Sequence, residues 1–131
     1  MTLPRGHRRR AALLAARASR VQPARDDKVV TAWNGLAITA LAEASVALDD
    51  PSLLDAAVRC AEMIVDLHFV GERLRRASLG GVVGDSAATL EDYAALATGL
   101  LTLYQLTSDA SWLATAAELV GFAQAHFSDP D

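Results

Sequence analysis

Asp26-Asp27-Lys28-Val29-Val30-Thr31-Ala32-Trp33-Asn34-Gly35-Leu36 is the stretch that decides the fold. It reads as the opening of a long helix from about Asp27 to Leu48. At 100° per residue, Val29, Trp33, Leu36, Ala37, Ala40, Leu41, Ala44 and Leu48 fill a broad apolar arc. Asp27, Thr31, Asn34 and Ser45 form a polar stripe beside it, and only Lys28, Thr39 and Glu43 mark an outward face. A helix apolar over most of its circumference is expected to be buried. Its polar stripe then needs hydrogen-bond partners or a solvated cavity. Trp33-Asn34-Gly35 also breaks local rules, since glycine costs about 1 kcal/mol relative to alanine inside a helix. Such breaks concentrate at functional sites. The plainer reading makes Asp26 or Asp27 an N-cap and Asn34 a satisfied core amide.

The helices around this stretch follow from punctuation. Residues 7 to 20 form a first helix with Leu13, Leu14 and Ala18 as its modest apolar side, and Pro23 lies in the break after it. Asp50-Pro51 suits an N-cap followed by the first helical position, so a third helix runs from Ser52 to about His68. Asp55, Arg59, Glu62 and Asp66 give that helix one solvated face. Residues 69–88, punctuated by Gly71, Gly80, Gly81 and Gly84, read as an irregular connection with a short extended piece at residues 72–76. A fourth helix begins near Thr89, where Thr89 and Asp92 stand at capping-box spacing with Asp in place of Glu. Asp92 also falls on the apolar arc of Leu96, Gly99, Leu103 and Leu106, so it must be paired, protonated or cavity-lining. The fifth helix runs from about Ala110 to Phe127, with Trp112, Leu113, Ala116, Val120, Ala123 and Phe127 inward.

The chain has 131 residues, half of them apolar, enough for one sizeable core. No apolar stretch reaches membrane-spanning length, so no membrane partner is expected. Cys60 is the only cysteine and reads as a small core residue. His68 and His126 read as helix-end or core-edge residues. Residues 1–28 carry a net charge of +6 and the remainder −10. The basic N-terminus has some of the composition of a mitochondrial presequence but runs unbroken into the core motif. It is read as a solvated basic helix. With an acidic body and no interleaved aromatics, nucleic-acid binding is not expected.

Helices apolar nearly all round (second and fourth) alternate with one-sided helices (third and fifth). The fold class is therefore all-α, built of consecutive αα-hairpins in the manner of a helical toroid. Residues 1–20 are a leading basic helix, 27–68 the first hairpin, 69–88 the connection and 89–127 the second hairpin. Asp27, Thr31, Trp33, Asn34, Glu91, Asp92 and Tyr93 all sit in the first turns of the two inner helices, which are expected to converge at one end.

Four segments carry a family resemblance: Asp26-Asp27-Lys28, Trp33-Asn34-Gly35-Leu36, Glu91-Asp92-Tyr93-Ala94 and Leu103-Tyr104-Gln105-x-Thr107 with Trp112-Leu113. In this order they resemble the YyaL family of thioredoxin-domain-containing proteins, whose animal members are the spermatogenesis-associated proteins. The resemblance spans about Arg17 to Asp129. It implies a partial (α/α)6 toroid of the six-hairpin glycosidase type, with this chain matching the opening two hairpins. The later hairpins and a thioredoxin-like domain would then be missing partners. Family members often carry a histidine after the proline preceding Asp-Asp-Lys; here Ala24 and Arg25 follow Pro23.

Two functions compete. In a carbohydrate-active or sugar-binding toroid, two carboxyl groups flank the sugar. Asp27 and Asp92 are the candidates, with Trp33 and Tyr93 as stacking platforms and Asn34 and Glu91 as further substrate-binding groups. No histidine is placed to serve an epimerase. Alternatively the toroid is a non-catalytic scaffold or binding module for a redox domain, with Asp27, Asn34 and Asp92 as structural ties. Neither reading calls for a cofactor or a metal, and both fit a cytoplasmic protein. On the toroid reading the piece is inactive alone and self-associates through an open apolar edge.

Overall fold

The computed structural model describes residues 5–128 of the chain. The residues before and after, including the terminal Asp129-Pro130-Asp131, lie outside the described residues. In order come α1 (Arg5–Ala18), β1 (Lys28–Val30), α2 (Thr31–Ala47), α3 (Pro51–His68), β2 (Phe69–Val70), β3 (Arg73–Leu74), β4 (Ala77–Leu79), β5 (Val82–Val83), α4 (Leu90–Thr107) and α5 (Ala110–Phe127).

The helix boundaries follow their caps. Asp50 accepts the Ser52 N–H and places Pro51 at the start of α3; Asp109 does the same for Ser111 at α5. The capping box between Thr89 and Asp92 opens α4, and Ser108 closes it in the left-handed conformation at φ 58°. Helix α1 stands apart. Every described side chain on it is exposed, the expected apolar side of Leu13, Leu14 and Ala18 included.

Two expectations are corrected. The long helix does not begin at Asp27: Lys28–Val30 is a strand and α2 starts at Thr31. Val29 and Val30 are β-branched and suit a pleated ribbon, and here a partner strand is available. Lys28, Val29 and Val30 pair antiparallel with Leu79, Ser78 and Ala77. The stretch from 69 to 88 is correspondingly ordered. It folds as two hairpins, β2–β3 and β4–β5, the second joining β1 in a sheet of order β1-β4-β5. Gly80 and Gly81 both take positive φ, as a tight primed turn requires.

The core lies between the helices. Ile38, Ile64, Leu96, Leu100, Leu103 and Leu119 are fully buried there. Helix α2 packs on α3 and α4, and α4 packs on α2 and α5. The pairs α2–α3 and α4–α5 are hairpins, while α2 and α4 run in parallel, with Ala32 beside Asp92 and Gly35 beside Ala95 and Leu96. That is the expected arrangement of inner and outer helices. The inner helices are not buried all round, however. Trp33, Leu36, Val46 and Leu48 are exposed on or just after α2, and Leu90, Leu101 and Leu106 on α4. On α5 the buried residues are Trp112, Ala116 and Leu119; Leu113, Val120 and Phe127, expected inward, are exposed.

Candidate functional site

The starts of α2 and α4 meet through one carboxylate. Asp92 is fully buried. Its Oδ1 accepts the Ala32 N–H of α2 at 3.0 Å, and its Oδ2 accepts the Thr89 N–H at 2.8 Å and the Thr89 hydroxyl at 2.9 Å. The first-turn amides of a helix have no partner within it, and negative charge at that end is favoured. Asp92 therefore caps two parallel helices at once, its own through the capping box and α2 from across the interface. The Arg76 guanidinium lies 3.6 Å from Oδ2 and balances the buried charge.

A second tie lies beside it. Thr31 Oγ1 donates to the Arg75 carbonyl at 2.7 Å and stands 2.7 Å from His68 Nδ1; His68 Nε2 stands 2.9 Å from Ser78 Oγ. The geometry assigns the tautomer. The single Thr31 proton goes to a carbonyl, which can only accept, so His68 Nδ1 must donate to Thr31. In the neutral ring Nε2 then accepts the Ser78 hydroxyl proton. Burial pushes the His68 pKa below its ordinary value, partly opposed by the negative charge of Asp92. Serine, histidine and an orienting group occur here in the order used by hydrolases. Yet His68 and Thr31 are wholly buried and Ser78 nearly so. No substrate reaches them, and the chain of bonds fastens β4 and the end of α3 to the start of α2.

The third feature is a close crossing. A Cβ added to Gly35 would lie 2.5 Å from the Ala95 carbonyl carbon, and one on Gly99 would lie 2.9 Å from the Gly35 oxygen. Gly35, which broke helix propensity in the sequence, is explained by the near contact of the α2 and α4 backbones.

The proposed site residues divide. Asp92 is a buried cap whose two oxygens are engaged, so it is not an open acid or base. Tyr93 is also buried: its hydroxyl accepts the Leu74 N–H at 3.3 Å and its ring stacks on Phe122 at 4.7 Å. Phe122 stacks in turn on His126 at 3.9 Å. Asn34 is half-buried, donating to the Val30 carbonyl at 2.8 Å and accepting from the Cys60 thiol at 3.3 Å. Burial raises the Cys60 pKa. Asp92, Asn34 and Tyr93 are thus all engaged within the frame.

Asp27, Trp33 and Glu91 are exposed. Asp27 pairs with Arg25 and Asp26 with Lys28, whose hydrogen bond lowers the Asp26 pKa. Trp33, 68% exposed, stands next in sequence to the capped Ala32. Sequence reasoning missed the Thr31–His68–Ser78 chain and the glycine crossing. Thr31 and His68 are 37 residues apart, and no local spacing signals such a pair.

Among the described residues no helix is long and apolar enough to cross a membrane, and no three His, Cys, Asp or Glu side chains cluster as metal ligands would.

No family model matches the chain. Among curated proteins, spermatogenesis-associated protein 20 of Mus musculus is 35% identical over 127 residues, covering 90% of this chain and 16% of the relative. The protein of that name in Homo sapiens is 34% identical over 116 residues, covering 82% and 15%. An uncharacterised Caenorhabditis elegans protein is 38% identical over 111 residues, covering 79% and 15%. The chain thus spans 15 to 16% of the length of these relatives. Among solved structures, the GH76 α-mannanase BT2949 of Bacteroides thetaiotaomicron superposes with a TM-score of 0.68 at 18% identity, covering 81% of this chain and 30% of that one. The fold is therefore part of an α/α toroid of the six-hairpin glycosidase type.

Proposed function

We propose, from the kinship of this chain with the spermatogenesis-associated proteins and from its toroid fold, that it forms part of a sugar-binding surface at the N-terminal end of α2 and α4. The single observation that carries this reading is the convergence of those two helix starts through Asp92, which brings the exposed Trp33 and Glu91 of adjacent inner helices to one end. Trp33 supplies a stacking face for a sugar ring. Glu91, and Asp27 once released from its exposed pair with Arg25, are the carboxylates for meeting hydroxyls or, as acid and base, a glycosidic bond. Asp92, Asn34 and Tyr93 hold the frame beneath them.

Catalysis in the whole protein would call on residues from other hairpins, and on this reading the present hairpins bind and position. The specific observation favouring the scaffold alternative is that three of the six candidate groups are engaged internally. In that case the thioredoxin-like domain implied by the family resemblance would carry the chemistry. A cytoplasmic protein of carbohydrate metabolism is the setting the first reading supports.

A screen of oligosaccharides against the chain and its Trp33→Ala variant separates the two. The sugar-binding reading expects at least one ligand whose affinity falls on the substitution while the melting temperature holds. Binding unaffected by both Trp33→Ala and Glu91→Gln would overturn it.

A further inference from the structure

Along one face of the small sheet lies an open cavity of about 360 Å³, with Ser78 among the residues that line it. Strand alternation explains its lining. Lys28 pairs with Leu79 and Leu79 with Val82, so these three form one row across β1, β4 and β5; Val30 and Ala77 form the next row on the same face. Ser78 and its cross-strand neighbours Val29 and Val83 point to the other side. The floor is thus aliphatic, and two of its residues, Leu79 and Val82, are exposed, Val82 by 72%.

Two cations line this floor, each paired with a carboxylate set behind it, Lys28 with Asp26 and Arg76 with Asp92. Lys28 and Arg76 line the cavity and no carboxylate does, in a chain whose net charge is −4. Lys28 is held only by the exposed pair with Asp26 at 3.1 Å, the kind of contact a ligand displaces at little cost. Arg76 uses Nη1 toward Thr89 and Asp92, and its other N–H groups have no partner among the described residues. The Ser86 hydroxyl at the rim is likewise without a partner there. A lysine in an exposed, displaceable pair and the remaining N–H groups of Arg76, set above an exposed aliphatic floor, match a ligand with an anionic head and an apolar body.

We propose that this cavity binds a small amphipathic carboxylate, its head on Lys28 and Arg76 and its body over Leu79 and Val82. An aliphatic floor lacks the aromatic face a sugar ring prefers, so this site is separate from the rim around Trp33 and does not depend on the sugar-binding reading.

Octanoate is the probe, followed through the backbone amide resonances of the full chain, with octanol and inorganic phosphate as comparisons. The expected result is saturable shifts at Ala77, Leu79, Val82 and Ser86 with octanoate, and weaker ones with either comparison. Lys28→Gln should weaken octanoate about fivefold, the range of one exposed ion pair. Val82→Glu, at an exposed position that tolerates change, should abolish binding by putting a negative charge on the floor. Arg76 is left intact because it also neutralises Asp92. Octanol binding as well as octanoate, phosphate binding as well as octanoate, shifts centred elsewhere, or indifference to both substitutions would each overturn the proposal.

Discussion

Glu91 and Asp92 are neighbours in one helical turn, as are Ala32 and Trp33 in another, yet each pair is split between opposite environments. Asp92 and the Ala32 amide are sealed together at 3.0 Å, whereas Glu91 and Trp33 stand exposed at the same end of the helices. The inner member of each pair joins the helices, and the outer member is left exposed. A toroid needs both, because a surface built on helix ends keeps its geometry only if those ends are fixed to one another. The difference also teaches that acidic character is a poor guide to role. The carboxylate with the most demanding environment here is a cap.

The comparison breaks most severely at the joint. Asp92→Ala orphans the Ala32 and Thr89 amides and leaves Arg76 without its buried counter-charge; a loss of about 3–5 kcal/mol in chemical denaturation is expected. A loss under about 1 kcal/mol would mean the amides find other partners. Gly35→Ala comes next. The added methyl gains about 1 kcal/mol of helix propensity but meets the Ala95 backbone at 2.5 Å, and backbone cannot step aside as a side chain can. A net loss of about 2–3 kcal/mol is expected, with weakened α2–α4 contacts visible in amide exchange. A neutral or stabilising result would show that the crossing has slack.

The His68 tie gives a pH signature. Its folded-state pKa is lowered from the ordinary 6.5, so the unfolded chain binds the proton more readily. The stability contributed by the neutral ring is complete above about pH 6.5 and is lost progressively as the pH falls from there toward the folded-state pKa. His68→Gln should flatten the stability curve in that window, and an unchanged slope would place the proton elsewhere. At the rim the effects should be smallest. Trp33→Ala and Glu91→Gln should each change stability by no more than about 0.5 kcal/mol, since neither side chain is buried. Any larger loss in the melting profile would move Trp33 from rim to joint.

The helical part of the fold was legible because its signals are local. Asp50-Pro51, the spacing of Thr89 and Asp92, and the apolar arcs of α3 and α4 lie within a few residues of the structure they specify. What was not legible is non-local. Val29 and Val30 read equally well as one turn of an apolar helix, and only pairing with Ser78 and Ala77, nearly fifty residues on, makes them a strand. Gly35 read as a functional irregularity because its reason, the Ala95 backbone, is sixty residues away. The need for Asp92 to be paired was legible, but its partner in α2 was not. Of the inner-helix leucines that an open edge would present, Leu101 is exposed while Leu100 and Leu103 are buried; sedimentation of the chain at several concentrations should show whether the exposed apolar side chains on α2, α4 and α5 drive association.

A carboxylate of α4 caps α2, and hydrogen exchange at the single amide of Ala32 reads that joint directly. First-turn amides of a helix are normally open to water. Capped by Asp92, the Ala32 amide should be protected to the level of core amides in the native chain. In Asp92→Asn, whose neutral amide is a weaker acceptor, that protection should fall by a larger factor than the global loss of stability explains. An Ala32 amide that exchanges in the native chain as fast as an uncapped first-turn amide would contradict the joint, and with it the division between buried frame and exposed rim.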